Sequence, residues 1–137
     1  MTSAFVLDAS VTLSWCFLDE STTSSQNILD TLSDTYAETP ALWAFEVTNV
    51  LAIGERRKRI TSTVADEFLQ KLSRLDIRVQ PPMLTGEGHN LLLLVRRHGL
   101  TAYDAAYLEL AQRKGLALAT LDASLRKAAV AENVLLL

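Results

Sequence analysis

Residues 101–122 read Thr-Ala-Tyr-Asp-Ala-Ala-Tyr-Leu-Glu-Leu-Ala-Gln-Arg-Lys-Gly-Leu-Ala-Leu-Ala-Thr-Leu-Asp, and this stretch decides the fold class. From Thr101 onward the pattern predicts a helix that is apolar almost all round, as in a deeply buried helix, and Gly115 ends it. Leu116–Leu121 predicts a strand directly after that glycine, and Asp122 follows the strand. A buried helix joined by a tight turn to a buried strand is a typical unit of α/β proteins.

The same alternation extends outward from this unit along the rest of the chain. Three further strands are predicted, at residues 4–7, 77–79 and 134–137. Strands separated by helices favour an α/β fold with a mostly parallel sheet covered by helices on both faces. In chain order the other predicted helices begin at Ser10, at a Thr23–Gln26 capping box, at Thr39-Pro40 with an end near Arg57, at Thr63, at Glu87 with an end at His98, and at Ala123.

Composition limits the class of protein. The 137 residues suffice for a single domain over residues 1–137, and 49% of them are apolar, unlike a disordered chain. The single cysteine excludes a disulfide framework and suits a reducing compartment. The start lacks the pattern of a signal peptide, and the longest aliphatic run, Leu91–Val95, is far shorter than the ~20 residues of a membrane span. We therefore expect a cytoplasmic protein with no membrane partner.

Two acidic residues come directly after predicted strands. Asp8 follows the first strand, and Asp122 follows the strand that ends at Leu121. In open α/β sheets, sites form beyond the carboxyl ends of the strands, so these two carboxylates are candidates to converge. The alternative is structural, because Asp is also a favoured residue at the start of a helix, and each acid precedes one.

Glu46 is a third acid in an unusual place. On a helix it shares its face with Leu42, Val50 and Ile53, and its polar neighbour one turn on is Asn49 rather than a cation. Burial of an ionised carboxylate without a partner costs several kcal/mol. A distant arginine or a metal ion could compensate for that cost, and the sequence leaves both explanations open.

Asp104 is the fourth acid, in the first turn of the buried helix. It follows Thr101 at the spacing of a capping box, with Asp in place of the usual Glu or Gln. The helix dipole alone stabilises such an acid, typically by less than about 1 kcal/mol. Each acid thus has a structural explanation of its own, and it is the set of four that indicates a site.

Convergence of four carboxylates would restrict the chemistry. Carboxylates packed within a few ångströms cannot all stay ionised without a counter-charge. Oxygen ligands without nearby Cys or His select Mg²⁺ or Mn²⁺ over Zn²⁺. Such an ion polarises a phosphate and lowers the pKa of a bound water, which suits the hydrolysis of phosphodiesters.

The sequence around these acids resembles the PIN domain family, and most closely the VapC-type toxins of bacterial toxin–antitoxin pairs. The matching segments occur in family order and span almost the whole chain, and the third of them is the most specific. They are Val6-Leu7-Asp8-Ala9-Ser10, residues 46–51 (Glu-Val-Thr-Asn-Val-Leu), residues 101–111 (Thr-Ala-Tyr-Asp-Ala-Ala-Tyr-Leu-Glu-Leu-Ala) and Thr120-Leu121-Asp122.

This resemblance implies a three-layer sandwich and a metal-dependent endoribonuclease that uses a water nucleophile and acts as a toxin. It also implies a homodimer and an antitoxin that blocks the site. Ser10 and Thr120 match positions where a hydroxyl supports the acids, and we group Asn49 of the second segment with them. The metal ligands and catalytic residues implied for Mg²⁺ or Mn²⁺ are Asp8, Glu46, Asp104 and Asp122.

The dense basic run Arg56, Arg57, Lys58 and Arg59 has two interpretations. It could be a cationic helix end favoured by the helix dipole, or a contact for RNA phosphates. The run begins about 15 Å of helix beyond the predicted site, so it could hold flanking phosphates and not the scissile one. Arg126, one turn after the last acid, could steady that acid or bind a phosphate.

The aromatic residues also have two interpretations. Trp15, Trp43, Tyr103 and Tyr107 could stack RNA bases. Aromatic side chains at helical spacing are more often part of a hydrophobic core, so the sequence alone favours the core.

Two other classes of protein remain open from the residues alone. A metal-dependent phosphatase or phosphoryl-accepting domain would use Asp8 as the nucleophile and would need a suitably placed lysine, for which Lys127 is a weak candidate. A non-catalytic binding module would retain the acids as helix caps or as docking points for a partner's arginine.

The net charge of −3, from 13 basic and 16 acidic residues, argues at first against a nucleic-acid partner. Without the four candidate acids, however, the rest of the chain has one more basic than acidic residue. Each bound Mg²⁺ would add two positive charges where a phosphate must lie. We therefore predict weak non-specific RNA binding with a modest salt dependence, measured as the slope of log K against log salt concentration. A steep slope, which indicates many phosphate contacts, would contradict this reading of the charge.

Overall fold

The computed structural model of the protein describes residues 3–81 and 85–137, with the backbone alone at residues 85–87. Within these ranges the chain alternates between short strands and longer helices. The strands are β1 (Phe5–Leu7), β2 (Ala37–Thr39), β3 (Ile77–Val79) and β4 (Ala117–Ala119). The helices are α1 (Ala9–Ser14), α2 (Thr23–Thr31), α3 (Leu42–Arg56), α4 (Ser62–Ser73), α5 (Thr85–His98), α6 (Ala102–Lys114) and α7 (Ala123–Ala131).

The four strands form one parallel sheet in the order β3-β2-β1-β4. Phe5 of β1 lies opposite Ala37 of β2 on one side and opposite Ala117 of β4 on the other. The chain winds from β1 to β3 in one direction and then crosses to place β4 on the far side of β1. Such a reversal creates a crevice at the carboxyl ends of the two strands where it occurs, here β1 and β4.

The helices cover both faces of this sheet, as the sequence predicts. Crossover connections between parallel strands are right-handed in nearly all proteins. The helices α1 to α4 connect β1, β2 and β3 and lie on one face, whereas α5 and α6 connect β3 to β4 across the other face. The predicted α/β fold with three layers is therefore confirmed.

The helix that decides the fold class is buried as predicted. Every residue of α6 from Ala105 to Ala111 is buried, including Glu109, which forms an ion pair of 2.8 Å with Arg113. The Thr101 side chain caps the helix by accepting from a backbone N–H, and Gly115 ends it in the left-handed region with φ 65°. The inner strand β1 is fully buried, so the core lies where α6 packs on β1 and β4.

Residues 37–39 form strand β2, which was not predicted from the sequence. The prediction that Thr39 caps a helix is wrong, since Thr39 is fully buried in the sheet and α3 begins at Leu42 without a side-chain cap. The strand was missed because Glu38 interrupts the apolar pattern. Its carboxylate is buried and accepts a hydrogen bond of 2.7 Å from Gln80, which is distant in sequence.

Other predicted boundaries also differ from the structure, most of them by one or two residues. The capping box of α2 consists of Thr22 and Ser25, one residue before the predicted pair. Helix α4 is capped by Thr61 rather than Thr63, because the hydroxyl of Thr61 accepts from the Val64 backbone. The predicted strand over residues 134–137 is a single bridge between Leu118 and Leu136.

None of the helices in the described ranges is long and apolar enough to cross a membrane.

The left-handed conformation of Gly115 predicts the cost of a side chain at the end of α6. An added Cβ would meet no atom within 4 Å, so Gly115→Ala should lower the free energy of unfolding through backbone strain alone, by about 1–2 kcal/mol. Urea denaturation of the purified variant measures this loss. Gly115→Asn is the matched control and should lose less, because Asn tolerates the left-handed region. Equal stability of the alanine variant and the parent would contradict the assignment.

Candidate active site

Asp8 lies at the crevice between β1 and β4 and is 4% exposed. It caps α1, because its Oδ1 accepts from the Val11 backbone N–H at 3.0 Å. The same oxygen accepts from the Ser10 hydroxyl at 2.7 Å, and Oδ2 accepts from the Thr120 hydroxyl. These bonds use three of the roughly four acceptor positions of a carboxylate, so one position on Oδ2 remains.

Ser10 and Thr120 also join the ends of the two strands. The Ser10 hydroxyl accepts from the Leu121 backbone N–H at 2.9 Å, and the Thr120 hydroxyl accepts from the Asp122 backbone N–H at 3.0 Å. Each hydroxyl therefore accepts from the segment after β4 while it donates to Asp8. This network fixes Asp8 relative to the segment that carries Asp122.

Glu46 projects from α3 toward α6, where the Tyr107 hydroxyl donates a hydrogen bond to its Oε1. The carboxylate is half-buried. Tyr107 is 2% exposed, and the Ala9 backbone N–H at the start of α1 donates to its hydroxyl. The partner of Glu46 is thus a tyrosine 61 residues away rather than a distant arginine. This positioning residue was not predicted from the sequence, where its only signal was a hydroxyl one turn after Asp104 on the same helix.

Asp104 and Asp122 approach the crevice from two helix starts. Asp104 lies in the first turn of α6 and is half-buried. Asp122 caps α7 through a hydrogen bond of 2.8 Å from the Leu125 backbone N–H, and its side chain is exposed. The capping function considered for Asp8 and Asp122 is therefore real for both, and it does not remove them from the crevice.

The pKa values connect the four acids electrostatically. Burial raises the pKa of Asp8 to about 6, with a smaller contribution from the charge of Glu46. Burial also raises the pKa of Glu46, and the charge of Asp104 adds to that rise. The pKa of Asp104 is raised by burial and then by the charge of Asp122. Each acid thus lies close enough to the next for its charge to be felt.

This arrangement suits a hard divalent cation by its donor chemistry. In the salt bridges found among residues 3–81 and 85–137, the acidic partner is never one of these four acids. No three His, Cys, Asp or Glu side chains of the described residues are placed so that they could hold a metal ion together. Mg²⁺ is often bound through only one or two carboxylates plus water, so such a trio is not required. The oxygen-only donors, raised pKa values and remaining acceptor position on Asp8 fit such an ion.

The predicted basic contacts lie elsewhere or are engaged. Arg59 forms a 3.1 Å ion pair with Asp19 and stacks over Phe17. These two contacts account for the presence of Arg59 without an RNA phosphate. Arg56, Arg57 and Lys58 are exposed at the far end of α3.

Two other predicted residues lie near the crevice without touching the acids in the described contacts. Arg126 donates a hydrogen bond of 2.9 Å to the Thr120 carbonyl oxygen, so it braces the end of β4 rather than Asp122. Asn49 lines a cavity with Glu46 and is exposed.

Comparison with known proteins shows the family to which this chain belongs. The sequence model of the PIN domain matches residues 5–131, which include all four acids. The chain belongs to the PIN domain family. No curated protein matches it by sequence.

Solved structures share the fold of this PIN domain. PAE2754 from Pyrobaculum aerophilum is 22% identical with a TM-score of 0.71, over 93% of this chain and 86% of that one. VapBC2 from Rickettsia felis, solved with a DNA fragment from its promoter, is 11% identical with a TM-score of 0.68, over 98% and 97%. VapC20 from Mycobacterium tuberculosis, described as a toxin that cleaves the Sarcin-Ricin loop, is 14% identical with a TM-score of 0.60, over 93% and 95%. At these identities the likeness shows the fold alone.

The raised pKa of Asp8 predicts how stability depends on pH in metal-free buffer. The pKa of Asp8 is about 6 in the folded protein and 3.8 in the unfolded chain, so the folded protein holds the proton more tightly. The protonated Asp8 therefore stabilises the fold fully below pH 3.8, and this stabilisation is lost as the pH rises through 6. Asp8→Asn cannot ionise, so it should unfold with a free energy up to about 3 kcal/mol higher than the parent near pH 7.5. The difference should shrink toward pH 4, as measured by urea denaturation in EDTA.

Asp30→Asn, which alters an exposed acid on α2, is the control and should follow the parent at every pH. A parent more stable than Asp8→Asn at pH 7.5 would show that the hydrogen bonds from Ser10, Val11 and Thr120 outweigh the burial.

Proposed function

We propose that this PIN domain is a Mg²⁺- or Mn²⁺-dependent endoribonuclease that acts as the toxin of a toxin–antitoxin pair. The observation that carries the proposal is the row of electrostatically coupled acids at the crevice between β1 and β4, in a chain whose family model covers all four. Ligands of open α/β sheets bind at such a crevice. The proposal assigns metal binding, through one or two carboxylates directly and through bound water for the others, and catalysis to Asp8, Glu46, Asp104 and Asp122.

The residues around the acids have distinct parts in this proposal. Ser10 and Thr120 fix the orientation of the Asp8 carboxylate through two hydroxyl donors. The remaining acceptor position on Oδ2 is thereby held in place for a cation. Tyr107 holds Glu46 in the same way from α6. Because burial raises the pKa of Tyr107 well above its ordinary value, it stays a neutral donor throughout the physiological range.

The bound ion would supply charge stabilisation for the phosphate and a water of lowered pKa. The chain's own contribution is a set of carboxylates whose mutual repulsion a divalent cation relieves. Protonation competes with the ion at Asp8, since its pKa is about 6, so activity should fall as the medium becomes more acidic than that. The exposed side chain of Asp122 leaves one side of the crevice accessible to a polymer.

RNA and an antitoxin are the partners that we propose by analogy. VapC20, which shares the fold, is described as a toxin that cleaves the Sarcin-Ricin loop. VapBC2 and FitAcB from Neisseria gonorrhoeae are also similar in fold, and an antitoxin partner is what the resemblance to the VapC-type toxins implies. A homodimer, which the family resemblance implies, and a cytoplasmic location, which the single cysteine suits, also belong to this proposal.

The phosphoryl-accepting alternative gains no support from the crevice. Its candidate lysine, Lys127, is exposed and lines a cavity with Arg97 and His98, whereas the candidate nucleophile Asp8 is buried at the end of β1. No contact in the described residues brings Lys127 to Asp8.

Asp104→Asn should abolish cleavage of RNA while it leaves the fold intact. The substitution keeps the size of the side chain but removes one charge from the row, and loss of a metal-binding carboxylate should slow cleavage at least about 100-fold. The assay is cleavage of a total bacterial RNA preparation by purified protein in Mg²⁺, with sequencing of the 5′ ends. Circular dichroism checks the fold of each variant.

Asp66→Asn, which changes an exposed acid on α4, is the matched control and should cleave like the parent. EDTA should stop the parent and excess Mn²⁺ should restore it. Equal cleavage by Asp104→Asn and the parent in Mg²⁺ would refute the proposed mechanism.

A further inference from the structure

Two aromatic side chains beside the acids are exposed to solvent. Phe45 on α3 is 77% exposed and Tyr103 on α6 is 65% exposed. Their aromatic neighbours on the same helices, Trp43 and Tyr107, are 7% and 2% exposed and belong to the core. The core explanation that the sequence favoured for the aromatic residues therefore fails for Tyr103. Single exposed apolar residues are common, but two exposed aromatic residues that line one cavity form an apolar patch, which indicates a binding site.

Phe45 and Tyr103 line one cavity of about 710 Å³, within the usual range for ligand sites. Its other walls are small or polar. Ala44 and Ala52 contribute only small side chains to the lining, and the exposed amide of Asn49 offers a hydrogen-bond donor and an acceptor. The cavity is therefore suited to a flat, partly polar group.

The cavity is continuous with the candidate active site, because Glu46 lines it. Each exposed aromatic residue also directly precedes an acid of the row, Phe45 before Glu46 and Tyr103 before Asp104. A group held against these rings would consequently lie beside Glu46, close to the place where the proposed reaction cuts a phosphodiester.

We propose that Phe45 and Tyr103 form a subsite that stacks a nucleobase of single-stranded RNA beside the scissile phosphate, with Asn49 bonding to the edge of that base. The choice of RNA rests on the proposed function. Proteins recognise single-stranded RNA by stacking splayed bases on aromatic rings and by hydrogen bonds to base edges, which are the two features of this cavity.

The half-buried carboxylate of Glu46 favours this occupant over an apolar one. An apolar helix from a second copy of the chain would cover the cavity and leave that carboxylate further from water, at a cost in free energy. A nucleotide brings its own polar groups and, with the proposed ion, a phosphate beside it. Double-stranded RNA is a poor occupant, since its bases are stacked within the duplex.

Binding of a 5′-fluorescein-labelled 12-nucleotide single-stranded RNA, followed by fluorescence anisotropy in Ca²⁺ with the RNA checked on a gel for cleavage, tests the subsite with a divalent cation present beside the acids. Phe45→Ala and Tyr103→Ala should each weaken binding about 5- to 150-fold, as expected for loss of one stacking partner. Tyr103→Phe keeps the ring and should bind like the parent. Leu135→Ala, which shortens another side chain that is 77% exposed and lies outside the cavity, should have no effect.

A double-mutant cycle makes the test specific for a base. RNAs with a single abasic position are scanned along the 12-mer, and one position should lose affinity for the parent but not for Phe45→Ala. Parent-like binding by both alanine variants, or additive losses at every abasic position, would overturn the subsite. A change in oligomeric state of Phe45→Ala on gel filtration, without a change in RNA affinity, would assign the cavity to a second copy instead and equally overturn it.

The outcomes separate this inference from the proposed function. If the parent cleaves RNA and the alanine variants bind and cleave like it, the nuclease stands and the subsite fails. If the parent binds the 12-mer through Phe45 and Tyr103 but cleaves no RNA in Mg²⁺, the subsite stands and the nuclease fails.

Discussion

The burial of one carboxylate at the reversal point of the sheet constrains the rest of the site. Asp8 directly follows the inner strand β1, caps α1 and accepts from hydroxyls on both sides of the β1–β4 junction. Burial of an ionised carboxylate is costly, and the three donors offset only part of that cost, since its pKa is still raised to about 6. The same network sets the position of Asp122 through Thr120, so the geometry of the crevice and the protonation of Asp8 depend on one another.

The acids around Asp8 add to the electrostatic cost of ionising it and do not offset that cost. Glu46 and Asp104 reach the crevice from helices on opposite faces of the sheet. The charge of Glu46 contributes to the raised pKa of Asp8, and the charge of Asp104 contributes to the raised pKa of Glu46. The charge of Asp122 acts on Asp104 in the same way. Tyr107 stabilises Glu46 with a neutral donor, which leaves the negative charge in place. Such stored repulsion is typical of functional sites, where stability is lower than a purely structural arrangement would allow. It also explains the net charge of −3, because the acids that exceed the basic residues are concentrated at the site.

The sequence predicted those parts of the fold and site that are encoded locally. The burial of α6 is visible in its apolar surface, and Asp8 and Asp122 are visible as the residues that follow strands. The order of the strands was not predictable, since periodicity carries no information on which strands pair. The contact of Glu46 with Tyr107 joins residues 61 apart and depends on that order. Strand β2 was not predicted because the charged Glu38 interrupts its apolar pattern. The carboxylate of Glu38 can be buried there because it accepts a hydrogen bond from Gln80, which follows β3 and is distant in sequence.

Anomalous diffraction from crystals of the protein soaked in Mn²⁺ tests most directly whether the acids form one metal site. We predict an anomalous peak in contact with a carboxylate oxygen of Asp8 and with Asp104 or Asp122, and its absence from crystals of Asp8→Asn grown in the same way. A peak only at unrelated surface acids, or none in crystals that diffract well at millimolar Mn²⁺, would contradict the central claim that the crevice between β1 and β4 is a site for a divalent cation.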